Sequence, residues 1–153
     1  MSTKNKINVA VIGATGYTGL DLILMLSKHP KVKIINLCAT KNLGKNINFF
    51  DKRIKKKLPK ICSVNDIDWK NLDVVFLSLP NGGAQKIIKL IFNNNKDLKF
   101  IDLSADFRIT NFKVYEKNYK VKHKAKKFIK YSLYSIPELN KINVKKYRII
   151  SNP

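Results

Sequence analysis

The chain has 153 residues, 44% of them hydrophobic, with 31 lysines and arginines against 10 aspartates and glutamates and a formal net charge of +21. That length can bury one ordinary core, and its two cysteines make neither a disulfide framework nor a metal motif. The charge admits an anionic partner such as nucleic acid, yet the lysines are spread along the whole chain without an arginine-rich or aromatic recognition pattern, which reads as solvated faces.

The first six residues are polar and lead straight into a strand, with no apolar segment long enough for a signal peptide or a membrane span, so a cytoplasmic location is expected. Val9, Val11 and Ile12 are β-branched and suit a strand buried on both faces, whereas Leu20, Ile23, Leu24 and Leu26 recur at helical spacing. Between them lies Gly13-Ala14-Thr15-Gly16-Tyr17-Thr18-Gly19. In a strand-turn-helix unit of this kind, glycines permit the tight turn, the close approach of a pyrophosphate and the packing of helix on strand. Phosphate then meets free N–H groups at the helix N-terminus. The spacing is Gly-x-x-Gly-x-x-Gly, not the commoner Gly-x-Gly-x-x-Gly. A tight connection with no ligand is the other reading of the same glycines.

The helix should stop near Lys28, because Pro30 disfavours helix at His29. Residues 32–39 read as a second buried strand. An acidic residue after that strand would bind the ribose hydroxyl of NAD, while a cation accommodates the 2′-phosphate of NADP. Here Ala39-Thr40-Lys41-Asn42 follows, with no carboxylate until Asp51. NADP is therefore the expected cofactor, with Lys41 as a point charge on the phosphate; a solvated lysine is the alternative. Residues 43–60 read as an excursion between strands. Its run Lys52-Arg53-Ile54-Lys55-Lys56-Lys57 is the best nucleic-acid candidate in the chain, or simply an exposed face. A short strand at 61–64, a helical turn at 66–72 and a central strand at 73–79 come next. Cys38 and Cys62 each fall in an apolar run and read as core.

The central strand ends at Leu79-Pro80-Asn81-Gly82-Gly83, and its carboxyl end should face a ligand crevice. A helix at 84–92 and a strand at 99–103 follow. That strand delivers Ser104, Asp106 and Arg108 to the same kind of edge, a set that points to anion binding: Arg108 as a bidentate clamp, Asp106 orienting it, or the pair merely bracing a loop. Phe112, Tyr115 and Tyr119 suggest a short helix, and residues 147–151 a last strand. The alternation as a whole predicts an α/β fold, a doubly wound, mostly parallel sheet covered on both faces.

Gly13 to Gly19, His29-Pro30, Leu103 to Arg108, Ile136-Pro137-Glu138-Leu139 and Ser151-Asn152-Pro153 together resemble the N-acetyl-gamma-glutamyl-phosphate reductase family. The resemblance runs from about Ile7 to the last residue. It implies a Rossmann-type fold, incomplete without a C-terminal part, with residues 1–153 as the NADP-binding domain and the substrate domain outside this chain. It also implies NADPH-dependent reduction of N-acetyl-glutamyl 5-phosphate to the semialdehyde in arginine synthesis, and a homo-oligomer for the full-length enzyme. Cofactor contacts fall on Gly13, Ala14, Thr15, Gly16, Tyr17, Thr18, Gly19, Thr40, Lys41, Leu79, Pro80, Asn81 and Ser104. Substrate contacts fall on Arg108, Asp106 and Glu138. Where the family has Ser-Arg, Pro-His-Gly and Tyr-Gly-Leu-Pro-Glu-Leu, this chain has Thr40-Lys41, Pro80-Asn81-Gly82 and, in the last motif, Ser135 at the glycine. A left-handed backbone at Ser135 would be strained. In the family a Gly-Cys nucleophile follows the final Asn-Pro, so no catalytic residue is expected within the chain, and no metal. The rival class is a non-catalytic module that binds a nucleotide or nucleic acid.

Overall fold

A computed structural model of the chain describes residues 6–139 and 143–153. It divides into two compact units, Met1–Ser78 and Leu79–Pro153.

The first unit is built on β1 (Ile7–Ile12), α1 (Tyr17–Lys28), β2 (Val32–Cys38), β3 (Ile61–Cys62) and β4 (Val74–Leu77). β1 pairs in parallel with β2 on one side and β4 on the other, and β2 pairs in parallel with β3. Ile12 is level with both Cys38 and Leu77, so the carboxyl ends of the three inner strands share one edge. Val9, Val11, Ile23, Ile34 and Leu37 fill the core, joined by Ile54 from within the basic run. Burying Ile54 anchors residues 43–60 as an excursion between strands, the only regular turn in it being Ile47–Phe49. As expected, α1 stops where His29 turns extended ahead of Pro30. β3 is shorter than the sequence suggests, because Ser63 leaves the ladder to cap the turn Val64–Asp66 through a reciprocal bond with Asp66.

The second unit carries α2 (Gly83–Ile91), β5 (Lys99–Asp102), α3 (Phe112–Tyr119), β6 (Ser132–Tyr134) and β7 (Ile149–Ser151). β7 pairs in parallel with β5 and with β6. All strand pairs described in the two units are parallel, as the doubly wound class requires. β6 was not legible as a strand: it is only three residues long and follows the turn Lys126–Tyr131 directly. Leu98, Phe100, Phe107, Tyr115 and Ile149 form the core here. Arg148 closes the carboxyl end of α2, donating from Nη2 to the carbonyls of Phe92 (2.9 Å) and Asn95 (2.6 Å) with its guanidinium 3.7 Å from the Phe92 ring centre. A cation at the last carbonyls of a helix complements its dipole.

Candidate functional site

The glycine turn of the first unit is suspended from the neighbouring strand. Gly13 takes φ +85°, open to a residue without Cβ, and the N–H groups of Gly13 and Ala14 both donate to the Cys38 carbonyl, at 2.9 and 3.0 Å. Gly16 N–H then donates to the Gly13 carbonyl at 3.1 Å, and α1 begins at Tyr17. Gly16 is the cap residue and supplies no side-chain bond, and the first turn has no acidic residue. The first N–H groups of a helix have no partner within it, so α1 presents donors and the positive end of its dipole, with no side-chain cap and no acid of its first turn upon them among the described residues. Tyr17 is 93% exposed; Thr15 is half-buried and Thr18 exposed.

The other two glycines of the motif differ in kind. A Cβ on Gly19 would collide with the Gly13 carbonyl oxygen, whereas one on Gly16 would meet nothing nearer than that oxygen at 3.5 Å, ordinary contact. Gly19 is thus required by the packing of helix on turn. The space over Gly16 is left free by the protein.

Thr40 and Lys41 stand exposed beyond β2. Their loop is pinned by Ala39 N–H on the Cys62 carbonyl (3.3 Å) and Gly44 N–H on the Ile61 carbonyl (2.8 Å), with Asn42 left-handed at φ 65°. The next carboxylate, Asp51, is engaged by Arg53, which donates from Nε at 3.0 Å and Nη2 at 2.8 Å and holds Asp51 below the usual carboxylate range. Arg53 also reaches Asp21 on α1, and Lys56 donates to the Ser27 carbonyl at 3.1 Å. Two cations of the basic run therefore brace the excursion against α1.

In the second unit the Leu79-Pro80-Asn81 turn closes with Gly83 N–H on the Pro80 carbonyl at 2.9 Å. Gly82 is left-handed at φ +85°, and a Cβ on Gly83 would press into Leu79. A cavity of about 340 Å³ opens over this turn, rimmed by Lys86, Lys122 and Lys124. Asp106, 0% exposed, is bonded to two of the residues that line it, Gly82 and Gln85. Its Oδ1 accepts from Gly82 N (2.7 Å), Gln85 Nε2 (3.0 Å) and Tyr115 Oη (2.6 Å), and its Oδ2 from Gln85 N (3.1 Å). Burial, and then the bond to Asp106, pushes the Tyr115 phenol upward and keeps it a donor. The carboxylate is turned to the N-terminus of α2, an anion built into the helix end, and among the described residues it makes no bond to Arg108.

His123 completes this network. Its Nε2 lies 2.8 Å from the Asp106 carbonyl and its Nδ1 accepts from Ala125 N–H at 3.3 Å, which fixes the neutral ring with its proton on Nε2. Burial holds its pKa below the ordinary histidine value. Gln85 Oε1 in turn accepts from Lys124 N–H at 2.6 Å. Gln85 and Tyr115 had no signal in the sequence that set them apart from any helical residue.

The carboxyl ends of β5, β6 and β7 come together. Asp102 accepts from Ser104 N (2.9 Å), Ser104 Oγ (2.6 Å) and Phe107 N (3.1 Å), and burial still raises its pKa. Asn152 N–H donates to the Asp102 carbonyl at 2.9 Å and Asn152 Nδ2 to the Ser135 carbonyl at 3.0 Å. Ser135 N–H bonds the Ser151 carbonyl at 2.9 Å, and Ser135 is not among the residues with positive φ, so serine in place of the family's glycine brings no left-handed strain. Arg108 donates from Nη2 to the Leu103 carbonyl at 3.3 Å, and its buried Nε has no partner among the described residues. Glu138 is exposed in the turn closed by Leu139 N–H on the Ile136 carbonyl. Among the described residues no cluster of three metal-ligating groups occurs, and no helix is long and apolar enough to cross a membrane.

Residues 8–147 match the family model of the semialdehyde dehydrogenase NAD-binding domain. The chain is 37% identical to the N-acetyl-gamma-glutamyl-phosphate reductase of Clostridium novyi and 41% identical to that of Brachyspira hyodysenteriae, covering 96% of this chain and 43% of the relative in each case. It is 36% identical to a probable chloroplastic N-acetyl-gamma-glutamyl-phosphate reductase of Arabidopsis thaliana, over 36% of that protein. The chain thus spans less than half the length of these relatives. Among solved structures it is similar to aspartate semialdehyde dehydrogenase II of Vibrio cholerae (TM-score 0.65, 20% identity, 97% of this chain and 42% of that one). A second is the Candida albicans aspartate semialdehyde dehydrogenase with NADP (TM-score 0.55, 27% identity, 67% of this chain and 31% of that one). The first likeness shows the Rossmann-type fold.

Proposed function

The chain belongs to the semialdehyde dehydrogenase NAD-binding-domain family, and from that premise we propose that it is the dinucleotide-binding part of an N-acetyl-gamma-glutamyl-phosphate reductase that uses NADPH. The observation that carries this reading is the α1 N-terminus, which offers its first-turn donors without a cap or an acid of its own. When bound, NADPH supplies the hydride that turns an acyl group into an aldehyde. The chain's residues hold and orient. Gly13 to Gly19 receive the pyrophosphate on the backbone of the turn and of α1, with Gly16 providing the clearance.

Thr40 and Lys41 take the 2′-phosphate; Asp51, the nearest following acid, is already engaged by Arg53. The NADP in the Candida albicans relative supports the same choice. Leu79, Pro80, Asn81 and Ser104 serve the nicotinamide half through backbone. Arg108 supplies the cation for a carboxylate or acyl phosphate, with Glu138 on the substrate side. Asp106 acts through the Pro80–Gly83 turn as a positioning residue.

Fluorescence titration tests the cofactor. NADPH should bind at least ~10-fold more tightly than NADH, and Lys41→Glu should reverse the order. Preference for NADH in the unaltered chain would overturn the assignment. Salt-steep DNA binding that dinucleotide does not affect would favour the nucleic-acid class instead.

A further inference from the structure

Cys38 ends β2, Cys62 ends β3, and the two are register partners in a parallel pair. Their thiols are free and their Sγ atoms lie 3.4 Å apart. Neighbouring strands are ~4.8 Å apart, inside the ~4.4–6.8 Å Cα range of a disulfide, and the sulfur gap closes by side-chain rotation together with a small shift of the two strand ends. The two thiols differ in access. Cys62 is half-buried and Cys38 buried, and burial, then the adjacent Cys62, pushes the Cys38 thiol far above the ordinary range. An incoming reagent therefore meets Cys62 first.

What makes the pair more than core filling is the peptide that Cys38 belongs to. Its carbonyl carries both the Gly13 and Ala14 N–H bonds of the glycine turn, and Ala39, next in the chain, is tied to the Cys62 carbonyl at 3.3 Å. Thr40 and Lys41 follow at once. We propose that Cys38 and Cys62 form an oxidisable dithiol that closes to a disulfide by exchange with a low-molecular-weight disulfide, and that closure weakens dinucleotide binding at the glycine turn. The second half rests on the dinucleotide reading of that turn. In the exchange, the Cys62 thiolate attacks one sulfur of the small disulfide, whose S–S bond breaks and releases one thiolate, which takes up a proton. Cys38 then gives its proton to solvent and attacks the Cys62 sulfur, expelling the second small thiolate. Two protein thiols lose two electrons; one small disulfide becomes two thiols. Drawing the sulfurs together by on the order of 1 Å moves the backbone from which the turn hangs.

The test treats the chain with oxidised glutathione, digests it with trypsin without reductant and weighs the peptides, in parallel with NADPH titrations before oxidation, after it, and after dithiothreitol. Expected are residues 34–41 crosslinked to residues 61–70, NADPH binding weakened about tenfold and restored by reductant, and neither effect in Cys62→Ser. Glutathione left on Cys62 without a crosslink, or a crosslink forming as fast in urea as in the native chain, would overturn the dithiol. A crosslink with unchanged affinity would overturn the coupling. If the reduced chain binds no NADPH, the dinucleotide reading and the coupling fall together, and the peptide masses still decide the dithiol.

Discussion

Two helices in this protein begin at glycines, and their N-termini are in opposite electrostatic states. α1 starts at a bare Gly16 with no cap bond and no acid in its first turn. α2 starts at Gly82 with a buried carboxylate already seated on Gly82 N–H and Gln85 N–H. Both ends carry the same partial positive charge. One is completed by a buried carboxylate, and the other has no side-chain cap. Glycine before a helix therefore does not by itself mark a phosphate site; the first-turn donors must also be free to receive one.

The largest expected effect comes from emptying the filled end. Asp106→Ala removes the acceptor of Gly82 N, Gln85 N, Gln85 Nε2 and Tyr115 Oη at once, and leaving buried donors of a charged network unpaired costs about 3–5 kcal/mol. Urea unfolding should show it as a lower midpoint. A loss below ~1 kcal/mol would mean that α2 does not depend on the carboxylate.

Filling the empty end should do the reverse. Gly16 has φ −77° and ψ 160°, a backbone that suits aspartate as a cap, so Gly16→Asp should leave the chain as stable or up to ~1 kcal/mol more stable. The same side chain takes the donors meant for pyrophosphate, and NADPH binding should weaken by about 100-fold. Gains in thermal midpoint together with unchanged NADPH affinity would sink the identification of α1 as the phosphate site.

The smallest effect is a pH dependence confined to the α2 side. His123 has its folded pKa below the ordinary value of 6.5 because it is buried, against the pull of Asp106 and Glu116. The unfolded chain therefore takes up a proton that the folded ring refuses. Stability from this group is full above pH ~6.5 and is lost as pH falls through the unfolded value toward the folded one. Asp102, with its pKa raised by burial, works in the opposite sense: its ionisation costs stability as pH rises from the unfolded carboxylate value through the folded one. Between pH ~7.5 and ~5.5 the thermal midpoint should fall, by ~1 kcal/mol or less in stability, and His123→Ala should flatten that slope. An unchanged slope in the variant would assign the dependence elsewhere.

Elements whose cause lies in neighbouring residues were legible from the chain alone. β1 and α1 announce themselves by a change of period across Gly13 to Gly19, and His29-Pro30 ends the helix because proline restricts the residue before it. β6 was missed, since three residues carry no period and β7 alone gives them a ladder. Ser135 stands where the family has glycine, which left its local geometry open from the sequence; its N–H on the Ser151 carbonyl goes with a backbone outside the positive-φ set.

By itself, then, the sequence determined the alternation of the longer strands and helices, the family and the position of the glycine turn, because those depend on side-chain type and spacing within a few residues. Tertiary structure decided how the charged and reactive groups are used. Asp106 looked like a partner for Arg108 two residues away and instead serves donors 21 and 24 residues back in the chain. Cys38 and Cys62 looked like separate core residues, and parallel pairing sets their sulfurs side by side. Hydrogen bonds and thiol chemistry act over about 3 Å, and which groups come within that distance is settled by how strands align and helices dock, not by their separation along the chain.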